Sequence, residues 1–139
     1  RTFFHGHTYG GNPLAASVAL ASLDIFEEER VLERLAPKIA RLGQQLDRIR
    51  SLPTVGDVRQ CGLIGAVELV RNQETKEPFP WEERRGIRVC EFAMEQGVWL
   101  RPLGNVIIIF PPLCISLEQL DRICDTIAAG ITATARHPS

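Results

Sequence analysis

The sequence has little lysine, and this scarcity limits the chemistry that the chain can perform. Its two lysines, Lys38 and Lys76, lie outside any apolar setting that would lower a lysine pKa for covalent catalysis. We therefore expect no Schiff-base lysine in this chain. Basic residues are not in excess either, because the formal net charge is -1 and the two signs are mixed along the sequence. Without a basic face, nucleic acid is not an expected partner.

Paired cysteines and long apolar runs are also missing. The four cysteines are widely spaced and form no Cys-x-x-Cys motif, so neither a zinc site nor a disulfide framework is indicated. We expect them to be reduced core thiols of a cytoplasmic protein. No run reaches the roughly 18 apolar residues of a membrane span, and the first residues lack a signal-peptide pattern. Because the chain begins with Arg1 and leads directly into a dense motif, we expect a truncated part of a longer protein.

That motif is the stretch HGHTYGGNPLAAS at residues 5–17. Asn12 followed by Pro13 is typical of a helix N-cap and first helical residue, so a helix is predicted to begin at Pro13. Its positive dipole end and several free N–H groups would point back at Thr8 and the Gly-Gly pair, which favours an anion such as phosphate. The alternative is that the glycines only turn the chain and Thr8 makes a local cap.

Apolar periodicity and turn residues predict an alternation of helices and strands. The predicted helices cover residues 13–29, 31–50 and 82–96, and a last helix follows the capping box of Ser116 and Gln119. The predicted strands cover residues 55–59, 63–70, 98–101 and 106–110. Pro37 should kink or split the second helix. This order predicts an α/β fold of the α+β type, with a small, mostly antiparallel sheet covered by helices mainly on one face.

Arg101 is the best candidate for binding a ligand. It lies in WLRPLGN, where we expect the end of an apolar strand just before a turn. A guanidinium held there offers a planar fork suited to a carboxylate. The alternative is a structural ion pair with a glutamate at the edge of the core.

Other polar residues give weaker signals. His5 and His7 lack a third metal ligand nearby, so no metal site is predicted. Glu68 could act as a general acid or base, but the solvent face of the sheet explains it as well. The arginines at positions 84, 85 and 88 are interpreted as a solvated helix start and face. No nucleophile and base have usable spacing, so no catalytic residue is assigned.

Three stretches together resemble a known family. They are FFHGHTYGGNPLAASVALASL, VGDVRQCGLIGAVELV with NQETKEPFP, and GVWLRPLGNVIIIFPPL. In this order they resemble the C-terminal part of class III aminotransferases, the pyridoxal-phosphate enzymes of fold type I, and the resemblance covers essentially the whole chain. It implies that residues 1–29 end the large cofactor domain and include an interdomain helix. Residues 30–139 would then form the C-terminal small domain.

The resemblance also implies roles for individual residues. Thr8, with the main chain at His7, would bind the cofactor phosphate of the other subunit in a homodimer with shared active sites. His7 stands where some relatives have proline. Gly6 and Arg101 would lie at the substrate carboxylate. The cofactor-bonding lysine, the aspartate at the pyridine nitrogen and the stacking aromatic residue come from earlier sequence in the family, so this chain alone is expected to be inactive.

The activity implied for the full-length protein is amino transfer to the ketone of 8-amino-7-oxononanoate, which gives 7,8-diaminononanoate in biotin biosynthesis. The resemblance leaves the amino donor open between S-adenosylmethionine and lysine. Two alternatives remain at this point. One is an ω-aminotransferase with another substrate, and the other is a stand-alone binding module without catalytic function.

Overall fold

The computed structural model describes Thr2, Gly6 and residues 10–135. Its internal contacts divide the chain into two compact units, Arg1–Arg34 and Leu35–Ser139. Helix α1 (Pro13–Glu28) belongs to the first unit. Helix α2 (Val31–Arg50) begins in the first unit and continues into the second.

Helix α1 begins at Pro13, as predicted, because Asn12 caps it. The Asn12 Oδ1 atom accepts hydrogen bonds from the backbone N–H groups of Leu14 at 3.0 Å and Ala15 at 3.3 Å. Its backbone carbonyl accepts a third bond, from Ala16. No residue of this helix is buried, although its sequence is largely apolar. The side chains of Leu14 and Val18 are 73% and 62% exposed.

We expect this helix to make the 139-residue chain self-associate. Apolar side chains of α1 are exposed to water, which is unfavourable. Covering them with another surface lowers the free energy, so association is favoured. Light scattering over a concentration series should show a rising average mass. The double variant Leu14→Glu/Val18→Glu should move the rise to higher concentration. A constant monomer mass for the unmodified chain at high concentration would contradict the expectation.

The second unit is built on a four-stranded antiparallel sheet in the order β1-β2-β4-β3. The strands are β1 (Val55–Cys61), β2 (Ile64–Leu69), β3 (Arg101–Leu103) and β4 (Val106–Ile109). Two central residues, Val67 and Ile107, pair across β2 and β4 and are fully buried. The sheet topology therefore matches the predicted antiparallel arrangement.

Helices α2, α3 (Arg85–Glu95) and α4 (Leu117–Ala135) supply the rest of this core. Side chains of Leu42, Ile49, Val89, Leu120 and Ile127 are fully buried against the sheet residues. The opposite face of the sheet carries exposed and half-buried side chains, among them Arg59, Glu68 and Leu103. We call this second face the open face. The predicted fold class, with helices mainly on one face of a small sheet, is confirmed.

Two further cap predictions were correct, whereas one of the two effects predicted for Pro37, splitting its helix, is not found. The Ser116 N–H donates to Gln119 Oε1 at 3.0 Å, and the Gln119 N–H donates to Ser116 Oγ at 3.1 Å, which is the predicted capping box. Gly97, with φ +76°, follows the end of α3 as predicted. Pro37, by contrast, lies inside a continuous helix and does not split it.

Two element starts differ from prediction. Helix α3 begins at Arg85 rather than near residue 82, because Arg84 adopts a left-handed conformation with φ +49° after the short 3-10 helix Trp81–Glu83. Strand β3 begins at Arg101 rather than at residue 98, because β4 is short and its pairing with β3 reaches only as far as Arg101. Arg101 is therefore the first residue of the strand and not the last.

The cysteines divide into two kinds. All four are free, but only Cys90 and Cys124 are buried, whereas Cys61 and Cys114 are exposed. The prediction of four core thiols is thus wrong for two of them. Burial raises the pKa of Cys90 to about 11 and that of Cys124 to about 12, so both stay protonated at neutral pH.

Two ion pairs join α2 to α4, Arg41 with Asp121 and Arg48 with Asp125, and the first is part of a hydrogen-bonded group. The Arg41 guanidinium donates to both carboxylate oxygens of Asp121, at 2.7 and 2.9 Å, and Gln45 donates to the first of them at 2.5 Å. The hydrogen bonds from Arg41 lower the pKa of Asp121 below its ordinary value. This contact therefore depends on the ionised carboxylate and weakens as the pH falls through that lowered pKa.

No helix within residues 10–135 has the length and apolar character needed to cross a membrane.

Candidate functional site

The predicted phosphate-binding residues His7 and Thr8, and the possible metal ligand His5, lie outside the described residues. Gly6 is described and exposed, and, its chain neighbours aside, no heavy atom of the described residues lies within 4 Å of the position a Cβ would take there. Within the described part of the chain, no group of three His, Cys, Asp or Glu side chains is arranged to hold a metal ion.

The N-terminus of α1 offers fewer hydrogen-bond donors than the sequence suggested. Pro13 has no N–H, the N–H groups of Leu14 and Ala15 donate to the Asn12 side chain, and that of Ala16 donates to the Asn12 carbonyl. The predicted set of several free N–H groups in the first helical turn was therefore wrong. The prediction failed because Asn12 caps the helix and accepts hydrogen bonds from the N–H groups that an anion would need. The first turn of α1 therefore leaves no free N–H group for an anion.

Both lysines already bind backbone carbonyls. Lys38 Nζ donates to the Leu113 carbonyl and Lys76 Nζ to the Gly56 carbonyl, each at 2.6 Å. Lys38 is half-buried. Each amine is thus held by a backbone carbonyl of the chain itself.

Arg101 lies on the open face of the sheet at one edge. Strand pairing places it in one row with Ile108, Ala66 and Arg59. Paired residues of antiparallel strands share a face, so Arg101 and Arg59 lie on the same side at opposite edges. Three strand spacings separate them, which is about 14 Å.

The two arginines of this row differ in their partners. Arg59 Nη1 binds the Asp57 carboxylate at 2.8 Å and the Glu68 carboxylate at 2.6 Å. In residues 10–135, by contrast, no carboxylate lies within ion-pair distance of Arg101. The alternative of a structural ion pair with a glutamate therefore finds no partner in the described chain. An exposed guanidinium on this face is left available for a carboxylate from elsewhere.

Glu68 occupies the surface position that the sequence allowed. Its carboxylate lies on the open face and accepts a hydrogen bond from Arg59. The same guanidinium, through its hydrogen bond, lowers the pKa of Asp57 below the ordinary range. The three side chains form a charged cluster on the surface, and this arrangement explains Glu68 without a role as general acid or base.

Arg85 is the residue that the sequence interpretation misplaced. It was predicted to be solvated with its neighbours Arg84 and Arg88, but its side chain is only 7% exposed. Its guanidinium binds the Glu83 carboxylate at 2.7 Å and the Thr134 carbonyl at 2.5 Å. It also lies over the Phe79 ring, 4.7 Å from the centroid. No local sequence pattern could predict the burial of Arg85, because its partner Thr134 is 49 residues away in the sequence.

The sequence profile of one protein family, Aminotransferase class-III, matches residues 1–131 of the chain. An adenosylmethionine-8-amino-7-oxononanoate aminotransferase from Geobacter sulfurreducens is 59% identical over 131 residues, which are 94% of this chain and 29% of the relative. A putrescine–pyruvate aminotransferase from Pseudomonas aeruginosa is 36% identical over 134 residues, which are 96% of this chain and 29% of the relative.

The solved structures that resemble this chain are aminotransferases, as are its sequence relatives. The crystal structure of adenosylmethionine-8-amino-7-oxononanoate aminotransferase from Methanocaldococcus jannaschii matches 94% of this chain and 30% of its own, at 45% identity and a TM-score of 0.87. A PMP-bound aminotransferase from Vibrio fluvialis matches 99% of this chain and 30% of its own, at 25% identity and a TM-score of 0.90. The chain thus spans less than a third of the length of these proteins. With a family profile matching nearly all its residues, the chain belongs to the class III aminotransferases.

Proposed function

We propose that this chain is the C-terminal part of a pyridoxal-phosphate-dependent aminotransferase that converts 8-amino-7-oxononanoate to 7,8-diaminononanoate in biotin biosynthesis. The observation that carries the proposal is the 59% identity over 131 residues to a relative named for that substrate. Four further relatives of the same name are 45% to 50% identical. In this proposal residues 1–29 end the large domain, residues 30–139 form the small domain, and the enzyme works in the cytoplasm.

Arg101 binds the substrate carboxylate in this proposal. Its support is the exposed position on the open face and the absence of any competing carboxylate among the described residues. A bidentate guanidinium–carboxylate pair would fix the acceptor at its far end and so orient the ketone. Gly6 is proposed to lie beside the same carboxylate. A residue without a side chain leaves room for a ligand at close range.

The cofactor contacts are assigned to Thr8 and to the main chain at His7, acting on the phosphate of the partner subunit in a homodimer. The capped start of α1 supports this assignment, because the helix end has no N–H left in its first turn and upstream donors are required. Bound pyridoxal phosphate supplies the electron sink for amino transfer. The two lysines of this chain take no part in that chemistry, since each binds a backbone carbonyl.

The proposal is tested by the acceptor preference of the full-length enzyme. We expect turnover with 8-amino-7-oxononanoate and little with pyruvate or 2-oxoglutarate, with S-adenosylmethionine and lysine compared as donors. An enzyme that turns over pyruvate but not the oxononanoate would reject the assignment. It would favour the second candidate, an ω-aminotransferase for a diamine, which the 36% identity to the putrescine–pyruvate enzyme supports. A genuine start codon immediately before Arg1 would favour a stand-alone module.

We also expect the isolated 139-residue chain to show no transaminase activity and at most weak binding of pyridoxal phosphate. Thr8 supplies only part of a phosphate site, and Lys38 and Lys76 are held by the carbonyls of Leu113 and Gly56. Spectral titration with the cofactor measures this, with the Lys38→Arg/Lys76→Arg variant as control. A saturable absorbance change near one equivalent that the control lacks would contradict the expectation.

A further inference from the structure

The turn that follows Arg101 is held from the helix side of the sheet. Strand β3 leads directly into this two-residue turn, Gly104-Asn105, and Gly104 has φ +61°. The Asn105 side chain donates to the Phe79 carbonyl at 2.8 Å, and its own carbonyl accepts a hydrogen bond from the Leu69 N–H at 2.9 Å. The turn is therefore fixed to the segment before α3 and to the end of β2.

Gly86, in the first turn of α3, makes the tightest contact with this turn. A Cβ at position 86 would lie 2.2 Å from the Gly104 carbonyl oxygen and 3.2 Å from the Pro102 Cβ. Real Cβ atoms do not approach a backbone oxygen so closely, so any side chain here would force the turn and α3 apart. Gly86 itself is buried. The absence of a side chain at position 86 thus determines how near β3 lies to α3.

A displacement of the turn would be passed along the whole of strand β3, because the strand is too short to bend within its own length. It has three residues, and it is an edge strand paired only with β4 among the described strands. Arg101 is three residues from Gly104, at the other end of the strand, and its side chain lies on the open face. Pro102, which faces Gly86, lies on the helix side. A shift of the turn would therefore tilt Arg101 without any new group entering the open face.

We propose that Gly86 is a positioning residue for Arg101: its contact with Gly104 sets the place of the guanidinium that receives the acceptor carboxylate. This inference rests on the proposed function of Arg101. Displacing a binding group by about 1 Å can cost on the order of 100-fold in rate, even when the altered residue touches no substrate. Gly86 acts through the backbone of β3 and not through the ligand.

The test is a double-mutant cycle in the full-length enzyme. Gly86→Ala should lower kcat/KM for 8-amino-7-oxononanoate by about 10- to 100-fold, mainly through KM, and leave the donor half-reaction within about twofold. In the Arg101→Ala background the same substitution should change the acceptor constant by less than about threefold, because the group it displaces is gone. Gly43→Ala is the matched control, since its Cβ would meet only the end of the Gln60 side chain, at 3.0 Å.

The results of this cycle distinguish the positioning role of Gly86 from the carboxylate-binding role of Arg101. Equal losses from Gly86→Ala with and without Arg101, or equal losses in both half-reactions, would overturn the positioning role. An Arg101→Ala enzyme with an unchanged acceptor constant would instead overturn the carboxylate role. If Gly86→Ala does not fold, Asn105→Ala decides the matter, because it removes the hydrogen bond to Phe79 without a clash. We expect it to cost about 3- to 10-fold in the acceptor constant, and only when Arg101 is present.

Discussion

Arg101→Ala in the full-length enzyme is expected to lower kcat/KM for 8-amino-7-oxononanoate by roughly 30- to 1000-fold while leaving cofactor binding nearly unchanged. Two charge-assisted hydrogen bonds to the substrate carboxylate are lost, at a cost of about 2 to 4 kcal/mol in transition-state stabilisation. The guanidinium lies on the open face and has no described carboxylate partner, so the folded protein loses no ion pair. Stopped-flow measurement of each half-reaction, with cofactor titration, checks this result.

Arg101→Lys is the informative companion variant. An ammonium keeps the charge but not the planar two-point geometry, so we expect it to recover only part of the loss. Arg59→Ala serves as a control on the same sheet row, because that guanidinium is occupied by Asp57 and Glu68. If Arg101→Ala lowered the melting temperature and left the acceptor rate of the folded enzyme unchanged, the carboxylate role would have to be abandoned.

Arg85→Ala should produce the largest loss of stability, about 2 to 4 kcal/mol in the free energy of unfolding. Its guanidinium is almost fully buried and binds both Glu83 and the Thr134 carbonyl. Truncation leaves the Glu83 carboxylate, itself only 22% exposed, without its cation. The packing against Phe79 is lost as well. Urea unfolding of the chain carrying Leu14→Glu/Val18→Glu, at a concentration where light scattering shows a monomer, measures the effect.

Arg84→Ala is the matched control, because the adjacent side chain is exposed. We expect it to change stability by less than about 0.5 kcal/mol. The double variant Arg85→Met/Glu83→Gln should be less destabilised than Arg85→Ala, since it leaves no buried charge unpaired. Equal stabilities for Arg84→Ala and Arg85→Ala would show that the buried network contributes nothing.

The contrast between these arginines shows what a sequence pattern carries. Asn12 with Pro13, and Ser116 with Gln119, were interpreted correctly because a cap is made by residues within one helical turn. The burial of Arg85 depends on Thr134, 49 residues away, and no local pattern contains that information. The start of β3 depends in the same way on how far β4 extends to meet it.

The residues of the candidate site likewise differ in whether the local sequence could indicate them. The hypothesis that Arg101 binds a carboxylate was drawn from its chemistry and its neighbours in the sequence, and its lack of a described ion-pair partner is consistent with that hypothesis. The assignments of Gly6, His7 and Thr8 come from resemblance, and they stay predictions. Gly86 was not a candidate at all, because its importance lies in a contact with Gly104 that only the folded chain brings together.

Pro102 affects the outer edge of strand β3, where a further strand could pair with the sheet. The residues that flank a two-residue hairpin turn, here Leu103 and Val106, exchange the ladder hydrogen bonds, so the next pair, Pro102 with Ile107, does not. The nitrogen of Pro102 therefore points outward, and it interrupts the row of donors that a further strand would need. An edge blunted in this way resists strand addition and the growth of cross-β aggregates.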